Sequence, residues 1–140
     1  MEQYESKQVQ IHRPASMIYN LIADFSNFTP ILKDKVENWE ATRDTCSFTA
    51  KGFNVSLRIV EREENKLVKI EGEDGTPFDF KLWIQLREID SADTRMRLVL
   101  NVKLNMMMKM MIGGKLSKGL DQIAEQIAEQ IAETFNKIPY

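Results

Sequence analysis

The side chains that most often carry chemistry are scarce in this sequence. It has one histidine, His12, and one cysteine, Cys46, far apart in the chain. Metal centres need clustered ligands, so we predict no metal site and no cofactor. No basic residue flanks Cys46 to stabilise a thiolate, so we expect a small buried side chain rather than a nucleophile. We expect His12, beside Arg13 and Pro14, to be a turn or surface residue.

Acidic residues are the remaining candidates for catalysis, and they form two groups. Acid–base chemistry needs a carboxylate whose pKa is shifted by burial or by a like charge. Both groups fall at predicted hairpin ends, where water reaches them, so we interpret them as a solvated acidic rim. No phosphate-binding glycine loop or nucleophile elbow is present, and we predict no catalytic residue. The groups are Glu71, Glu73, Asp74 and Asp79, and Glu61, Glu63 and Glu64.

Composition limits the possible classes of protein. The chain has 140 residues, 43% of them hydrophobic, and a net charge of −2, which fits a single globular domain over residues 1–140. Without a basic block, nucleic-acid binding is disfavoured. No signal peptide is visible, and the longest apolar run, Met106–Ile112, is too short to span a bilayer. We therefore expect a cytoplasmic protein without stable membrane insertion.

Hydrophobic periodicity gives a clear order of elements. A strand over 4–11 is followed by a helix with Ser16 as its N-cap, then by a short helix near Pro30. Period-two alternation with short polar separators then predicts antiparallel strands. These strands cover 36–43, 46–50, 53–63, 66–73, 78–89 and 94–105. From Asn105 the period becomes helical to the C-terminal region, with Leu116, Leu120, Ile123, Ile127, Ile131 and Phe135 on one stripe.

The segment from Val9 to Asp24, VQIHRPASMIYNLIAD, resembles the first strand and helix of the START-like, or SRPBCC, superfamily. That group includes birch-pollen-allergen-like proteins, polyketide cyclases and coenzyme Q-binding proteins. The resemblance implies an α+β helix-grip fold, in which a curved antiparallel sheet of about seven strands wraps a long C-terminal helix. Two short helices follow the first strand, and a cavity lies between sheet and helix. Members bind lipids, sterols, quinones or polyketides, while a minority are enzymes or act on protein partners.

The residues expected to face that cavity carry no ionisable group. We therefore predict non-enzymatic binding or transport of a hydrophobic small molecule, such as a lipid, quinone, isoprenoid or polyketide-like compound. A charged ligand group could be held only at the rim, by Lys51, Arg58 or Lys115. The predicted wall consists of Phe53, Val55, Leu57, Ile59, Phe78, Phe80, Leu82, Ile84, Leu98, Leu100, Val102, Gly113, Leu116 and Leu120.

The start of the C-terminal helix is unusually rich in methionine. Methionine suits adaptable apolar surfaces, so Met107, Met108 and Met111, with Trp83 on the sheet's outer face, are a candidate entrance or partner surface. The pair Gly113–Gly114 predicts a bend there, with Gly113 inward and Gly114 outward.

Two alternatives to the carrier hypothesis stay open. In the first, the protein is an interaction module that binds a protein partner or forms a homodimer through the Met107–Met111 surface. In the second, it is an enzyme of the cyclase or hydratase type. That would require a register slip that turns a polar pair such as Arg97 and Asn101 inward.

Overall fold

The computed structural model describes residues 2–50, 52–73, 76 and 79–136, except the side chains of residues 135 and 136. Eight strands and four α-helices lie in this part of the chain. The strands are β1 (Glu2–Glu5), β2 (Val9–Ile11), β3 (Glu37–Ala41), β4 (Thr45–Ala50), β5 (Phe53–Glu63), β6 (Leu67–Gly72), β7 (Asp79–Asp90) and β8 (Asp93–Lys103). The helices are α1 (Ala15–Ile22), α2 (Thr29–Leu32), α3 (Met106–Ile112) and α4 (Leu116–Asn136), with 3₁₀ turns at Phe25–Phe28 and Gly113–Lys115.

All eight strands belong to one curved antiparallel sheet. The strand order is β1-β8-β7-β6-β5-β4-β3, and β2 also pairs with β8. The longest ladder joins β7 to β8, from Asp79 opposite Lys103 to Asp90 opposite Asp93. The sheet wraps the C-terminal helix, and the short helices follow the N-terminal strands, so the predicted α+β helix-grip architecture is confirmed.

The core lies between the inner face of the sheet and helices α1 and α4. Ile18 and Ile22 of α1 and Ile127 and Ile131 of α4 are completely buried there. The predicted stripe on α4 is wrong at Ile123, which is 39% exposed, because Ala124 occupies the inward position instead. Phe135, the last residue of that predicted stripe, lies outside the side chains described.

The predicted first strand is in fact two strands. Ser6 interrupts it: its backbone N–H donates to the Leu98 carbonyl and its Oγ accepts from the Leu98 N–H, both at 2.9 Å. Lys7 then turns towards α4, where its N–H donates to Asp121 Oδ1 at 2.6 Å and its ammonium pairs with Glu125. These contacts anchor the N-terminal segment to both sheet and helix.

Helix α1 begins one residue before the predicted N-cap, Ser16. Pro14 is the N-cap residue, with extended backbone angles and no capping side chain of its own. The Ala15 N–H instead donates to Glu88 Oε1 at 3.0 Å, across the fold. A distant carboxylate therefore satisfies the first N–H of the helix, and the prediction of Ser16 as the N-cap is wrong.

A β-bulge in β5 reverses the alternation of that strand. Ile59 pairs with Ile70 and Arg62 pairs with buried Val68, so Val60 is the extra residue and Arg62 faces inward. The Arg62 guanidinium donates to the Ala23 carbonyl through Nε at 3.0 Å and Nη2 at 2.8 Å, and to Asp44 Oδ1 at 2.7 Å. This arginine therefore ties the end of α1 to the sheet.

We predict that Arg62→Met lowers the free energy of unfolding by about 1–3 kcal/mol, because the part-buried Ala23 carbonyl loses its charged donor. Urea denaturation followed by circular dichroism measures the change. Arg87→Met, at an exposed position on β7, is the matched control and should change stability by less than about 0.5 kcal/mol. Equal effects of the two substitutions would show that Arg62 has no special structural role.

Candidate ligand-binding site and methionine surface

Burial of the inward side chains decreases along two of the long strands, β5 and β7, towards one end of the sheet. On β5, Ile59 is buried, Leu57 and Val55 are half-buried, and Phe53 is 46% exposed. Strand β7 shows the same change, from buried Ile84 to half-buried Leu82 and Phe80, whereas on β8 half-buried Leu100 lies between buried Leu98 and Val102. We call the end formed by Phe53, Asp79 and Lys103 the open end, because apolar side chains of the inner face remain accessible there.

The predicted wall residues thus divide into two sets. Ile59, Ile84, Leu98 and Leu120 belong to the packed core, and Val102 is buried as well. Phe78 lies outside the described residues. The accessible set at the open end, with Leu116 and Gly113 from the helical side, is Phe53, Val55, Leu57, Phe80, Leu82 and Leu100.

Aromatic residues on β3 and β4 extend this accessible set. Trp39 lies 6.1 Å from Phe48 between ring centroids, and its Nε1 donates to Thr29 Oγ1 of α2 at 2.9 Å. Trp39 therefore packs inward near the short helices.

The predicted bend at the glycine pair corresponds to an interruption of the helix. Ile112 has a φ of −126°, and the 3₁₀ turn Gly113–Lys115 separates α3 from α4. A Cβ on Gly113 would lie 3.4 Å from the Tyr4 hydroxyl, whereas a Cβ on Gly114 would meet nothing within 4 Å. Gly113 thus faces β1 and Gly114 faces outward, as predicted.

A polar cluster that sequence analysis missed lies where β1 meets α3. Glu2 pairs with Val102 and Tyr4 with Leu100, so both side chains are on the inner face. The Tyr4 hydroxyl donates to Glu2 Oε2 at 2.8 Å, and Lys109 Nζ lies 2.6 Å from Glu2 Oε1. The alternation of β1 could have placed Glu2 and Tyr4 on one face, but nothing local indicated Lys109 as their partner.

Electrostatics within this cluster stabilise its present protonation state. The Lys109 ammonium lowers the pKa of Glu2, and the Glu2 carboxylate raises the pKa values of Lys109 and Tyr4. Lys109 is consequently a charged tether, and Tyr4 stays a protonated donor at neutral pH.

The exposed residues of α3 form an apolar face. Met106, Met107, Met110 and Met111, which we call the methionine surface, are 81%, 70%, 83% and 65% exposed. At about 100° per residue they cover a continuous arc of about 140°. Met108 and Ile112 lie on the opposite side of α3 and are half-buried. The observed surface therefore includes Met106 and Met110, which were not predicted, and excludes Met108, which was.

Trp83, the other predicted partner residue, is placed elsewhere. It pairs with Val99 on the outer face of the sheet, and the Lys69 ammonium lies 5.4 Å from the centroid of its ring. The structure therefore does not bring Trp83 together with the methionine surface.

Depressions on the outer face of the sheet differ in character from the open end. A groove of about 560 Å³ there is lined mainly by polar side chains, among them Gln85, Arg87, Arg95 and Arg97. The Arg95 guanidinium is paired with Asp93, which lowers the pKa of that carboxyl. Such walls do not suit an apolar ligand.

Solved structures of other proteins match this chain over nearly its whole length. Norcoclaurine synthase from Thalictrum flavum, in complex with dopamine and hydroxybenzaldehyde, gives a TM-score of 0.75 at 10% identity and covers 94% of this chain and 87% of that chain. TTHA0849 from Thermus thermophilus gives 0.72 at 15% identity, with 95% and 99% covered. XoxI from Bacillus cereus gives 0.66 at 12% identity, with 98% and 97% covered. The chain has the START-like (SRPBCC) helix-grip fold. No family sequence model and no curated protein sequence matches it.

Within this START-like fold, the candidate catalytic residues are not brought together. Cys46 is buried, and burial, with a smaller contribution from Glu73, raises the pKa of its thiol to about 12. His12 is exposed. Arg97 and Asn101 face outward, opposite Gln85 and Lys81, so the proposed inward polar pair is wrong. The described residues contain no cluster of three or more potential metal ligands.

The predicted acidic rim and rim cations lie largely outside the concave face. Glu61, Glu63, Glu64 and Asp79 are exposed. Arg58 pairs with Glu73 at 2.8 Å on the outer face, so its proposed role at the mouth is wrong. Lys115 is exposed beside α3, while Lys51 and Asp74 lie outside the described residues.

We predict that Cys46 resists modification in the folded protein, since its thiol is both buried and almost wholly protonated at pH 8. Reaction with Ellman's reagent should be slower by about tenfold or more than in protein unfolded by guanidinium. Equal rates in the two states would show that the β4 region opens readily.

We predict that Glu2→Gln loosens α3, because the lysine tether loses its anionic partner. Hydrogen–deuterium exchange at neutral pH should be faster in residues 106–112, whereas Glu61→Gln, an exposed carboxylate of β5, should leave it unchanged. Because the pKa of Glu2 is lowered in the folded state, the tether is intact above the unfolded pKa and is lost as pH falls through the folded one. Unchanged exchange in Glu2→Gln would contradict this assignment.

Proposed function

We propose that the protein binds a hydrophobic small molecule at the open end of the concave face, as a carrier rather than an enzyme. The observation that carries this proposal is the decrease in burial along β5 and β7, with half-buried Leu100 of β8 opposite Leu82. The same face that is tightly packed beside α1 presents accessible apolar side chains at the open end. Binding would remove that surface from water, at roughly 25 cal/mol per Å² of apolar area.

The chemistry of the open end favours a ligand with an apolar body and a polar end. Leu57, Leu82 and Leu100 offer no hydrogen bond, so selectivity within the site would depend on shape. Among the described residues, Tyr4, Glu2 and Lys109 form a polar cluster towards its edge. A lipid, quinone, isoprenoid or polyketide-like compound meets this description.

The polar cluster supports binding more than catalysis. A general base near neutral pH needs a pKa close to the working pH. Here the pKa values of Tyr4 and Lys109 are raised and that of Glu2 is lowered, so each moves away from neutrality. Norcoclaurine synthase shows that the fold can support an enzyme. With these shifted pKa values, the cluster is better suited to bind a polar group of a ligand, or to hold α3 in place, than to transfer protons.

Binding can be tested with N-phenyl-1-naphthylamine, an uncharged probe whose fluorescence rises in apolar surroundings. We predict saturable binding by the wild-type protein and a loss of affinity of about tenfold or more in Val55→Trp, because the larger side chain fills the site. Val60→Trp is the matched control: it adds the same side chain to the same strand, on the outer face, where Val60 is exposed.

Thermal unfolding of both variants checks that each is folded before the titrations are compared. Absence of saturable binding by the wild-type protein would refute the carrier proposal. Equal loss of affinity in the two variants would place the probe outside the open end and refute the proposed site.

A further inference from the structure

The methionine surface is an apolar face that the described fold leaves uncovered. Its four side chains cover one side of α3, while Met108 and Ile112 pack on the other. Asn105 caps the helix, its side chain accepting from the Met108 N–H at 2.9 Å, and Lys109 ties it to Glu2. The helix is therefore held in place with its apolar side facing solvent.

All the charged residues close to this surface in the sequence are positive. Residues 103–118 contain four lysines and no acidic residue, in a chain whose net charge is −2. Lys109 is paired with Glu2, and Lys103 lies opposite Asp79. Lys115 and Lys118 are exposed and form no ion pair within the described residues. An apolar patch flanked by unpaired lysines is complementary to a surface that has an apolar interior and an outer layer of negative charge.

We propose that α3 docks the protein reversibly on an anionic lipid bilayer, with the methionine surface at the headgroup–acyl boundary and Lys115 and Lys118 on lipid phosphates. An interfacial helix buries its apolar face without crossing the bilayer, and basic residues near it add electrostatic attraction. No helix in the described residues is long and apolar enough to span a membrane, so the contact is peripheral.

A lipid surface fits these residues better than a second copy of the chain. In a two-fold dimer the same patch meets itself, so the lysines of both copies would be gathered at one interface, and residues 103–118 contain no acidic residue to pair with them. Like charges brought together in this way oppose association. The docking surface also begins three residues after Lys103, which lies at the open end, so a bound bilayer would adjoin the mouth of the proposed site.

Vesicle flotation tests the proposal directly. Vesicles of phosphatidylcholine and phosphatidylglycerol in roughly equal parts should retain the wild-type protein at low salt, and vesicles of phosphatidylcholine alone should not. We expect Lys115→Gln with Lys118→Gln to weaken binding about 30-fold, and high salt to weaken wild-type binding as well. Met106→Ser with Met110→Ser should weaken it by about tenfold or more.

Two control variants carry equivalent changes away from α3. Ile89→Ser removes an exposed apolar side chain at the opposite end of the sheet, and Lys66→Gln removes an exposed lysine from the turn before β6. Both should bind vesicles as the wild-type protein does. Because all these side chains are exposed, the variants should keep the wild-type melting temperature.

Three results would overturn the proposal. One is the absence of wild-type binding to anionic vesicles, and another is binding that the methionine substitutions leave unchanged. The third is a dimer, detected by sedimentation, that Met106→Ser with Met110→Ser dissociates in the absence of any vesicle binding. The probe titration in solution contains no lipid, so failure of docking and failure of the proposed ligand site are seen separately.

Discussion

The register of β8 is the constraint on which the rest of this structure depends. This strand pairs with β1, β2 and β7, and α3 begins almost directly after it. Its alternation places Met96, Leu98 and Leu100 on the inner face and Arg97 on the outer one. A shift by one residue would exchange the faces and detach the N-terminal strands from their partners. Core, open end and methionine surface are therefore positioned by one set of backbone hydrogen bonds.

The concave face of the sheet is filled at one end and open at the other because different parts of the chain cover the two ends. Near α1, the isoleucines of two helices meet the sheet, and Ala124 lets α4 approach closely, so side chains there are packed to the density of a core. Beyond β8, α3 turns its four exposed methionines away from the domain, and at the open end Leu57, Leu82 and Leu100 remain half-buried. One end of the sheet thus forms the stable core, and the other end leaves apolar side chains accessible.

Sequence periodicity predicted the fold well because the long strands have one buried face. It failed where distant groups decide the local structure. The bulge at Val60 turns Arg62 inward to meet the Ala23 carbonyl, and Glu88 accepts from the Ala15 N–H at the start of α1. The pairing of Glu2 with Lys109 was missed for the same reason, since only the three-dimensional fold brings these two residues together. Each of these contacts links residues far apart in sequence, which periodicity does not register.

Helix α3 departs from the consistency shown by the rest of the chain. Elsewhere apolar residues are mostly buried and helices present polar faces to water, whereas α3 exposes methionines and its charged tether binds it to the domain. Such departures from local rules are expected at functional sites, where the surface is shaped for something other than water. A tether that merely stabilised the fold would not need an apolar outer side. The helix is fixed, its outer arc is apolar, and the neighbouring lysines are unpaired in the part of the chain that the structure describes. These three features are explained together if the fold serves to hold that arc in one orientation.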